Sequence, residues 1–348
     1  MAIFSEINQH QHLKGKYMKI LVTGGTGFIG SNLVKKLIDD GHHIVNLDLM
    51  TYAANAASLE SIRENPRYSF YHGNICHREL VRGILKDEQP ECVFHLAAES
   101  HVDRSIGKAD DFIDTNILGT YTLLTEIQSM THKPDGFKFI HVSTDEVYGS
   151  LGPDEPAFDS ESPYRPNSPY AASKASSDLL ARAWRKTFNM PVIITHCSNN
   201  YGPNQNIEKF IPKTITNILQ YLSIPIYGNG LNIRDWIHVS DHCDALIAIM
   251  NKGEVGKTYC IGGNHELTNL EVIDHVILAL DKYRPGISPG NRYDLKTFVP
   301  DRLGHDLRYA INNDKITDEI GWKPKIMFEE GIAQTIEWYS LNLSWWIE

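Results

Sequence analysis

The chain has 348 residues, which is long enough for two lobes or one enlarged domain. Its composition is ordinary for a globular protein, with 42% hydrophobic and 22% charged residues. The formal net charge of -10 argues against a nucleic-acid or anionic-membrane partner, although helix N-termini and a few arginines can still bind a nucleotide phosphate.

Residues 1–17 form a polar N-terminal extension without the apolar centre of a signal peptide. No segment approaches the ~20 apolar residues of a membrane span. The five cysteines are dispersed and lack CxxC spacing, which indicates free thiols in a reducing compartment. We therefore predict a cytoplasmic protein. His238 and His242 have helical spacing without the glutamate of a HExxH motif, so we predict no metal site.

The first predicted element is an apolar strand over 18–23, which runs into a glycine-rich turn and a helix from 29 to about 40. Gly24, Gly27 and Gly30 give this turn a GxxGxxG spacing. Glycine lets the backbone approach a pyrophosphate, and the helix N-terminus favours that negative charge. The pattern predicts a dinucleotide site.

The second predicted strand, over 43–48, ends in Asp48. A carboxylate at this distance from the glycine turn suits hydrogen bonds from both hydroxyls of an adenosine ribose. A 2′-phosphate would meet the same negative charge, and residues 49–51 contain no arginine to neutralise it. NAD is therefore favoured over NADP.

Strands and helices continue to alternate further along the chain. We predict strands near 68–72, 92–97, 137–142 and 192–197, and helices near 77–86, 109–130 and 168–189. This alternation predicts an α/β fold with a Rossmann-type doubly wound parallel sheet. The pattern loosens after Asn199, which indicates a smaller C-terminal α/β lobe. The predicted division is an NAD-binding domain over 18–198, with a return segment near 233–250, and a mainly substrate-binding lobe over 199–348.

A hydroxyl and two adjacent acids, Thr144-Asp145-Glu146, follow the apolar strand near 137–142. Neighbouring carboxyl groups can shift each other's pKa values apart and so serve as separate acid and base. Tyr170 and Lys174 follow at helical spacing, where the lysine charge would stabilise a tyrosine phenolate. Alone, either pair is more often solvated or structural. Together they indicate redox and elimination chemistry in one pocket.

The glycine turn and the Tyr170-x-x-x-Lys174 motif resemble the extended short-chain dehydrogenase/reductase family. Segments 96–105, 143–149, 197–203 and 233–236 narrow the resemblance to the dTDP-glucose 4,6-dehydratases, over about residues 18–339. The Thr-Asp-Glu triplet is its most specific element, because the related 4-epimerases lack the acid pair.

The resemblance implies a homodimer joined by the helices over 109–130 and 168–189. It also implies conversion of dTDP-glucose to dTDP-4-keto-6-deoxyglucose by oxidation at C4, loss of water across C5 and C6, and hydride return to C6. In this mechanism Tyr170, beside Thr144, takes the proton of the 4-hydroxyl. Glu146 takes the C5 proton, and protonated Asp145 donates to the departing 6-hydroxyl.

The implied binding positions fall into two sets. NAD-binding positions are Gly24, Gly27, Phe28, Ile29, Gly30, Asp48, Asn74, Ile75, Leu96, Ala97, Ala98, Ser100, Thr115, Tyr170, Lys174 and Asn200. Positions for the nucleotide sugar are Ser100, Thr144, Asn199, Lys209, Arg234, Asn269, Asp301, Arg302 and His305.

Three positions depart from the family pattern. Asn74 replaces the aspartate that accepts from the adenine amino group, and Leu303 replaces a proline in the loop over 301–305. Asn264-His265 inverts the usual order of these two residues.

Three other functions stay open at this point. A 4-epimerase needs no acid pair at C5 and C6, which weighs against it. A UDP-glucose 4,6-dehydratase would bind uracil in place of thymine. The two bases differ by one methyl group, which is worth only ~1–3 kcal/mol of binding free energy in a pocket. An NAD-binding regulator on the same fold would be expected to lose Tyr170, Lys174 or the acids.

Overall fold

The computed structural model describes residues 17–283 and 290–347, so the predicted N-terminal extension lies outside the described residues except for Tyr17. The strands are β1 (Lys19–Thr23), β2 (His43–Asp48), β3 (Tyr68–His72), β4 (Cys92–His95), β5 (Lys138–Thr144), β6 (Val192–Cys197), β7 (Asn199–Tyr201), β8 (Ile224–Tyr227), β9 (Ile233–His238), β10 (Thr258–Ile261), β11 (Glu266–Thr268) and β12 (Lys296–Val299).

The helices are α1 (Phe28–Asp39), α2 (Arg78–Glu88), α3 (Val102–Gly107), α4 (Asp110–Phe112), α5 (Thr120–Gln128), α6 (Pro169–Phe188), α7 (Phe210–Leu219), α8 (Val239–Lys252), α9 (Asn269–Tyr283), α10 (Asp314–Ile320), α11 (Phe328–Leu341) and α12 (Leu343–Trp346). A π-helical segment (Ile113–Gly119) joins α4 to α5, so the helix predicted over 109–130 is interrupted. Short 3₁₀ helices span Ala56–Ile62, Asp145–Tyr148 and Arg292–Leu295.

Seven parallel strands form the main sheet in the order β10-β6-β5-β4-β1-β2-β3. The order reverses between β1 and β4, because β1 pairs with β2 on one side and with β4 on the other. Loops leaving the carboxyl ends of strands diverge at such a point and open a crevice. The predicted doubly wound sheet is confirmed, and the crevice positions the functional site.

The central strands of the main sheet are buried on both faces, as their continuous apolar runs predict, whereas the edge strand β3 is partly exposed. Ile20, Leu21 and Val22 of β1 are each at most 1% exposed. Ile20 and Val22 pack with Leu33 of α1 and Leu246 of α8, whereas Leu21 belongs to a separate core cluster on the other face of the sheet. Burying one large aliphatic side chain is worth about 1.5–3 kcal/mol, so such runs hold the sheet together.

Two small sheets and several helices form the second lobe in the described part of the chain. The sheets have the orders β11-β9-β7 and β12-β8, and a separate apolar core includes residues of α7, α9 and α11. The chain nevertheless returns to the first lobe: α8 packs with α1, and β10 adds the edge strand beside β6. The return to the main sheet therefore extends beyond the predicted segment near 233–250, because β10 lies after it. The predicted domain boundary between residues 198 and 199 stays a prediction.

Between residues 17 and 283, and from 290 to 347, no helix is long and apolar enough to cross a bilayer.

The glycine turn gives a sharp stability test. A Cβ on Gly30 would lie 2.1 Å from the Gly24 carbonyl oxygen and 2.7 Å from Gly25 Cα, so Gly30→Ala must displace backbone. We expect it to lower the free energy of unfolding by about 1–3 kcal/mol or more in urea titrations. Gly83→Ala is the control: Gly83 lies in α2 with no atom within 4 Å of the added Cβ. It should stabilise by ~0.5–1 kcal/mol. Equal effects would contradict the packing described here.

Candidate active site

A long cleft opens at the carboxyl ends of the main-sheet strands, where the strand order reverses. Its walls come from the glycine turn, the ends of β2, β4 and β5, and the first turns of α6. Every residue predicted to hold NAD lines this cleft, as do Thr144, Asp145 and Glu146. The structure therefore brings the predicted cofactor and catalytic residues into one cavity.

The glycine turn is shaped to receive a group that lies against the backbone. Gly24 has a φ of +73°, and a Cβ there would lie 2.7 Å from the Ala97 backbone nitrogen. The next turn begins α1 at Phe28, and Gly27, Phe28 and Ile29 line the cleft. The first backbone N–H groups of a helix have no partner within the helix. They can bind a pyrophosphate, as the sequence predicts.

Asp48 ends β2 at the far wall of the cleft. Its carboxylate accepts hydrogen bonds from the backbone N–H of Thr26 at 2.9 Å and of Met50 at 2.8 Å. Those contacts leave lone pairs for ribose hydroxyls, since a carboxylate offers about four acceptor positions. The neighbouring lining residues Leu49 and Thr51 carry no positive charge. The wall therefore suits the ribose of NAD better than a 2′-phosphate.

Asn74 lines the same wall at the position where the family usually has aspartate. Its Oδ1 accepts a hydrogen bond from the Cys76 backbone N–H at 2.8 Å, which fixes the side chain in a local turn. An amide oxygen has two lone pairs. Asn74 therefore keeps one acceptor position for an adenine amino group.

The acid pair lies at the end of β5. Thr144 caps the following 3₁₀ turn, because its Oγ1 accepts from the Glu146 backbone N–H at 3.3 Å. Asp145 is 1% exposed, and its Oδ2 has no hydrogen-bond partner among the described residues. Burial, followed by the charges of Glu146 and Asp235, raises the pKa of the Asp145 carboxyl well above its usual range. The surroundings therefore favour the neutral form of the Asp145 carboxyl.

Glu146 has different surroundings. Burial raises the pKa of its carboxyl too, but the charges of Arg302, Arg234 and Lys209 all act to lower it. Among the groups that shift the pKa of the Asp145 carboxyl, one cation, Arg234, lowers it. The environment thus favours the proton on Asp145 and the negative charge on Glu146, which is the separation that acid–base chemistry requires.

Tyr170 and Lys174 lie on the first turns of α6, which starts at Pro169 with Ser168 as its N-cap. The Ser168 hydroxyl accepts from the Ala171 backbone N–H at 3.1 Å. Lys174 Nζ donates to the Val142 carbonyl oxygen at 2.9 Å, and burial lowers the pKa of this ammonium group. Helix and strand are thus joined beside the acid pair.

The phenol of Tyr170 does not behave as the sequence predicts. Burial, followed by the charge of Glu146, raises the pKa of Tyr170 well above its usual range, and a hydrogen bond with Thr144 only partly opposes the shift. The expected phenolate is therefore not favoured by the protein alone. A cation bound beside the phenol would oppose this charge.

A second cleft, under the smaller lobe, joins the first through Ser100, Glu146, Asn199 and Lys209. Its positively charged side includes Arg234, which is 5% exposed and stacks over the Tyr309 ring at 4.3 Å. All residues predicted to contact the nucleotide sugar line one cleft or the other, except Asp301. Asp301 instead accepts from His305 Nδ1 at 2.6 Å and from the Arg302 backbone N–H at 2.8 Å, so it shapes the loop that presents those two side chains.

The two other departures from the family pattern, at Leu303 and at Asn264-His265, lie in different surroundings. Leu303 is 75% exposed, outside both clefts. Asn264 has a φ of +59°, and its Oδ1 accepts from Asn313 Nδ2 at 3.2 Å. Asparagine tolerates this left-handed conformation better than most residues, which gives the Asn264-His265 order a backbone reason.

Sequence reasoning missed several residues of the site. Tyr309 lines the second cleft and Gln205 lines both, but neither belongs to a recognisable motif.

Asn116 is 1% exposed in the π-helical segment. Its amide exchanges two hydrogen bonds with the Glu99 backbone, at 2.9 and 3.0 Å, and donates to Ser173 at 2.8 Å. Asn116 thus holds the wall before Ser100, and its sequence context, beside Asp114 and Thr115, gave no signal of this role.

These features define an extended short-chain dehydrogenase/reductase with an added acid pair, and the comparisons with known proteins agree. The family model of GDP-mannose 4,6 dehydratase matches residues 21–335. The dTDP-glucose 4,6-dehydratase of Haemophilus influenzae is 50% identical over 94% of this chain and 99% of its own length.

Two solved structures are also similar over nearly the whole chain. The dTDP-glucose 4,6-dehydratase of Streptomyces venezuelae, solved with NAD bound, is 42% identical over 95% of this chain and 99% of that one, with a TM-score of 0.88. The Bacillus anthracis enzyme of the same name, in complex with NAD, is 45% identical over 94% and 98%, with a TM-score of 0.84. The chain belongs to the dTDP-glucose 4,6-dehydratase family.

The buried acid gives a pH-dependent stability test. Because the pKa of Asp145 is raised in the folded state, folding favours its neutral form. The resulting loss of stability is absent below the unfolded pKa of ~3.9 and grows as pH rises towards the folded value. Asp145→Asn keeps the neutral shape, so it should be more stable than wild type at neutral pH.

The measurement is urea unfolding of both proteins from about pH 4.5 to 8. The advantage of Asp145→Asn should shrink as pH falls. Asp154→Asn removes an exposed carboxylate and controls for the change in net charge. An Asp145→Asn variant that is less stable at neutral pH would show that the folded protein favours the charged carboxylate.

Proposed function

We propose that this chain is an NAD-dependent dTDP-glucose 4,6-dehydratase that forms dTDP-4-keto-6-deoxyglucose. The observation that carries the proposal is the Asp145–Glu146 pair, buried at Asp145 and half-buried at Glu146, with its divided charge, beside Tyr170 where the two clefts meet. An enzyme that only exchanges hydride at C4 has no use for such a pair.

The cofactor site suits NAD. The Gly24 turn allows close backbone approach, the start of α1 offers free N–H groups, and Asp48 offers a carboxylate. Bound NAD supplies a hydride acceptor for C4 and, once reduced, a hydride donor for C6. In this arrangement Lys174, tied to Val142, places a positive charge on the tyrosine side of the cleft.

Tyr170 takes the proton of the sugar 4-hydroxyl as C4 becomes a ketone. Thr144 lies beside it and hydrogen-bonds the same oxygen, which keeps the hydroxyl aimed at the phenol. General-base help of this kind contributes typically 10²–10⁴-fold in rate. Burial of Tyr170 also keeps water from competing for that proton.

Glu146 then takes the C5 proton, which the new C4 carbonyl makes acidic. Asp145, as the neutral acid, protonates the departing 6-hydroxyl, so the proton and the leaving group depart on different carboxyl groups. The eliminated water consists of the sugar oxygen, its own proton and the proton from Asp145. Glu146 later returns a proton to C5.

The second cleft has the charge that a nucleotide diphosphate needs. Arg234 and Arg302 line it, and Lys209 stands between the two clefts. Guanidinium groups bind phosphate oxygens through two parallel hydrogen bonds. We assign these cations to the diphosphate, and Ser100, Asn199, Asn269 and His305 to the remaining polar groups of the nucleotide sugar.

We also propose a cytoplasmic homodimer. The segment before α5 and helix α6 expose apolar side chains that include Ile113 at 44%, Leu118 at 49%, Leu179 at 55% and Phe188 at 48%. A surface of this kind suits burial against a second copy of the same helices. The five cysteines are unpaired, which suits a reducing compartment.

The two catalytic steps can be separated by mutation. Tyr170→Phe should block oxidation at C4, so adding dTDP-glucose should produce no absorbance of reduced nicotinamide. Glu146→Gln should still oxidise C4 but stall before water is lost, so that absorbance should form and persist in stopped-flow records. We expect each variant to lower turnover by at least ~100-fold. Equal loss of the oxidation step in both would show that Glu146 is misassigned.

Isotope tracing tests the function itself. In deuterium oxide the product should carry deuterium at C5, because that proton passes through Glu146, which exchanges with solvent. With dTDP-glucose deuterated at C4, the label should appear in the C6 methyl group, as NMR would show. A 4-epimerase would return the label to C4, and a regulator would leave the sugar unchanged. UDP-glucose, run in parallel, tests the preference for the base.

Leu179→Glu tests the dimer, because it places a charge on the exposed face of α6. We expect a monomer by light scattering coupled to size exclusion, where wild type gives a dimer. Leu278→Glu is a matched control on α9, since Leu278 is 58% exposed. It should leave the mass unchanged. A wild-type monomer, or dissociation by both variants, would contradict the proposed interface.

A further inference from the structure

Asp178 is a buried carboxylate that the mechanism above does not use. It lies on α6 four residues after Lys174, which lies four residues after Tyr170, so the three side chains share one face of the helix. Asp178 is 1% exposed and lines neither cleft. A charged group buried so completely is costly unless it is paired.

The partners of Asp178 come from two strands of the main sheet. Its Oδ2 accepts from the Ser143 hydroxyl at 3.0 Å and lies 3.0 Å from His196 Nε2 of β6. Its Oδ1 lies 3.0 Å from His141 Nε2 of β5. These histidines hold the pKa of Asp178 far below its usual range, although burial alone would raise it. Asp178 is therefore ionised at neutral pH.

Lys174 is the buried cation nearest to this carboxylate along the helix. The groups that affect it are Asp178 on α6 and Cys197 on β6, while His141 on β5 and His95 on β4 respond to its charge. Burial raises the pKa of the Cys197 thiol to about 12 and lowers the pKa values of both histidines. Those three groups are neutral at neutral pH, so Asp178 is the charged partner.

We propose that Asp178 is a positioning residue of the reaction, because its charge keeps Lys174 an ammonium ion held against the Val142 carbonyl. The inference rests on the proposed function and deepens it. Without the carboxylate, the groups named above that remain around the buried ammonium are neutral, and Nζ keeps its hydrogen bond to the Val142 oxygen. The tyrosine side of the cleft would then lack a positive charge while Tyr170 takes the substrate proton.

Asp178→Asn tests this, because it removes the charge and keeps the size of the side chain. Burial then acts on Lys174 without opposition, so its ammonium form is lost at lower pH. The alkaline limb of the pH–rate profile for C4 oxidation should move to lower pH by about one pH unit. The rate at high pH should therefore fall about tenfold, with little change near neutral pH. The KM for dTDP-glucose should stay unchanged, because Asp178 lines neither cleft.

Ser143→Ala is the matched control. It removes one hydrogen bond to Asp178 but no charge, so its alkaline limb should coincide with that of wild type. The same shift in Ser143→Ala, an unshifted limb in Asp178→Asn, or a uniform loss of rate at every pH would overturn the proposal.

If Asp178→Asn does not fold, Asp178→Glu carries the test. It keeps the charge, so its limb should match wild type once folding and NAD content are verified, and a limb shifted by a full unit would overturn the proposal. Wild-type protein that does not oxidise dTDP-glucose would instead refute the proposed function, and the inference would fall with it.

Discussion

The parallel register of β5 between β4 and β6 is the constraint on which the site depends. His141 pairs with His95 on one side and with Ile194 on the other, and Thr144 is level with Cys197. Side chains alternate along a strand, so a slip of one residue would turn the whole strand over. The register places the Val142 carbonyl under Lys174, Ser143 under Asp178, and the acid pair at the open end of the sheet.

The same arrangement explains how one buried pocket holds groups of opposite charge. Buried Asp145 has an Oδ2 with no hydrogen-bond partner within the described ranges, whereas the charges of two arginines and a lysine of the second lobe act to lower the pKa of Glu146. Two adjacent residues of one 3₁₀ turn thus occupy different electrostatic environments. The first lobe supplies the desolvation and the second lobe supplies the cations, so neither lobe alone would separate the acid from the base.

The sequence predicted much of this, because the signals were local. The strands over 43–48, 68–72 and 192–197 have the predicted bounds, since β-branched or aromatic residues flanked by turns leave little choice. The acid pair and the Tyr170–Lys174 spacing were likewise readable from neighbouring residues. Of the site residues that motif resemblance implied, Asp301 alone lines neither cleft.

What the sequence did not predict depends on contacts between distant segments. The π-helical turn around Asn116 forms where that amide bonds the Glu99 backbone, and nothing in the helix itself marks it. Tyr309 reaches the cleft through pairing of its neighbour Arg308 with Leu151 and Ile233. The raised pKa of Tyr170 reflects burial and the neighbouring acids of the pocket, which the Tyr170–Lys174 spacing does not reveal. Asp301 does not line either cleft, contrary to the prediction, because its carboxylate accepts hydrogen bonds from donors in its own loop.

The late arrival of β10 has a consequence for synthesis of the chain. Val192–Cys197 of β6 is buried throughout in the finished protein, yet on one side it pairs with a strand translated only after β7, β8, β9 and α8. Until then the nascent sheet ends in an apolar edge with unpaired backbone groups, which is a template for aggregation. Ribosome-bound intermediates of this protein would therefore need a chaperone, or rapid translation through Ile261, to protect that edge.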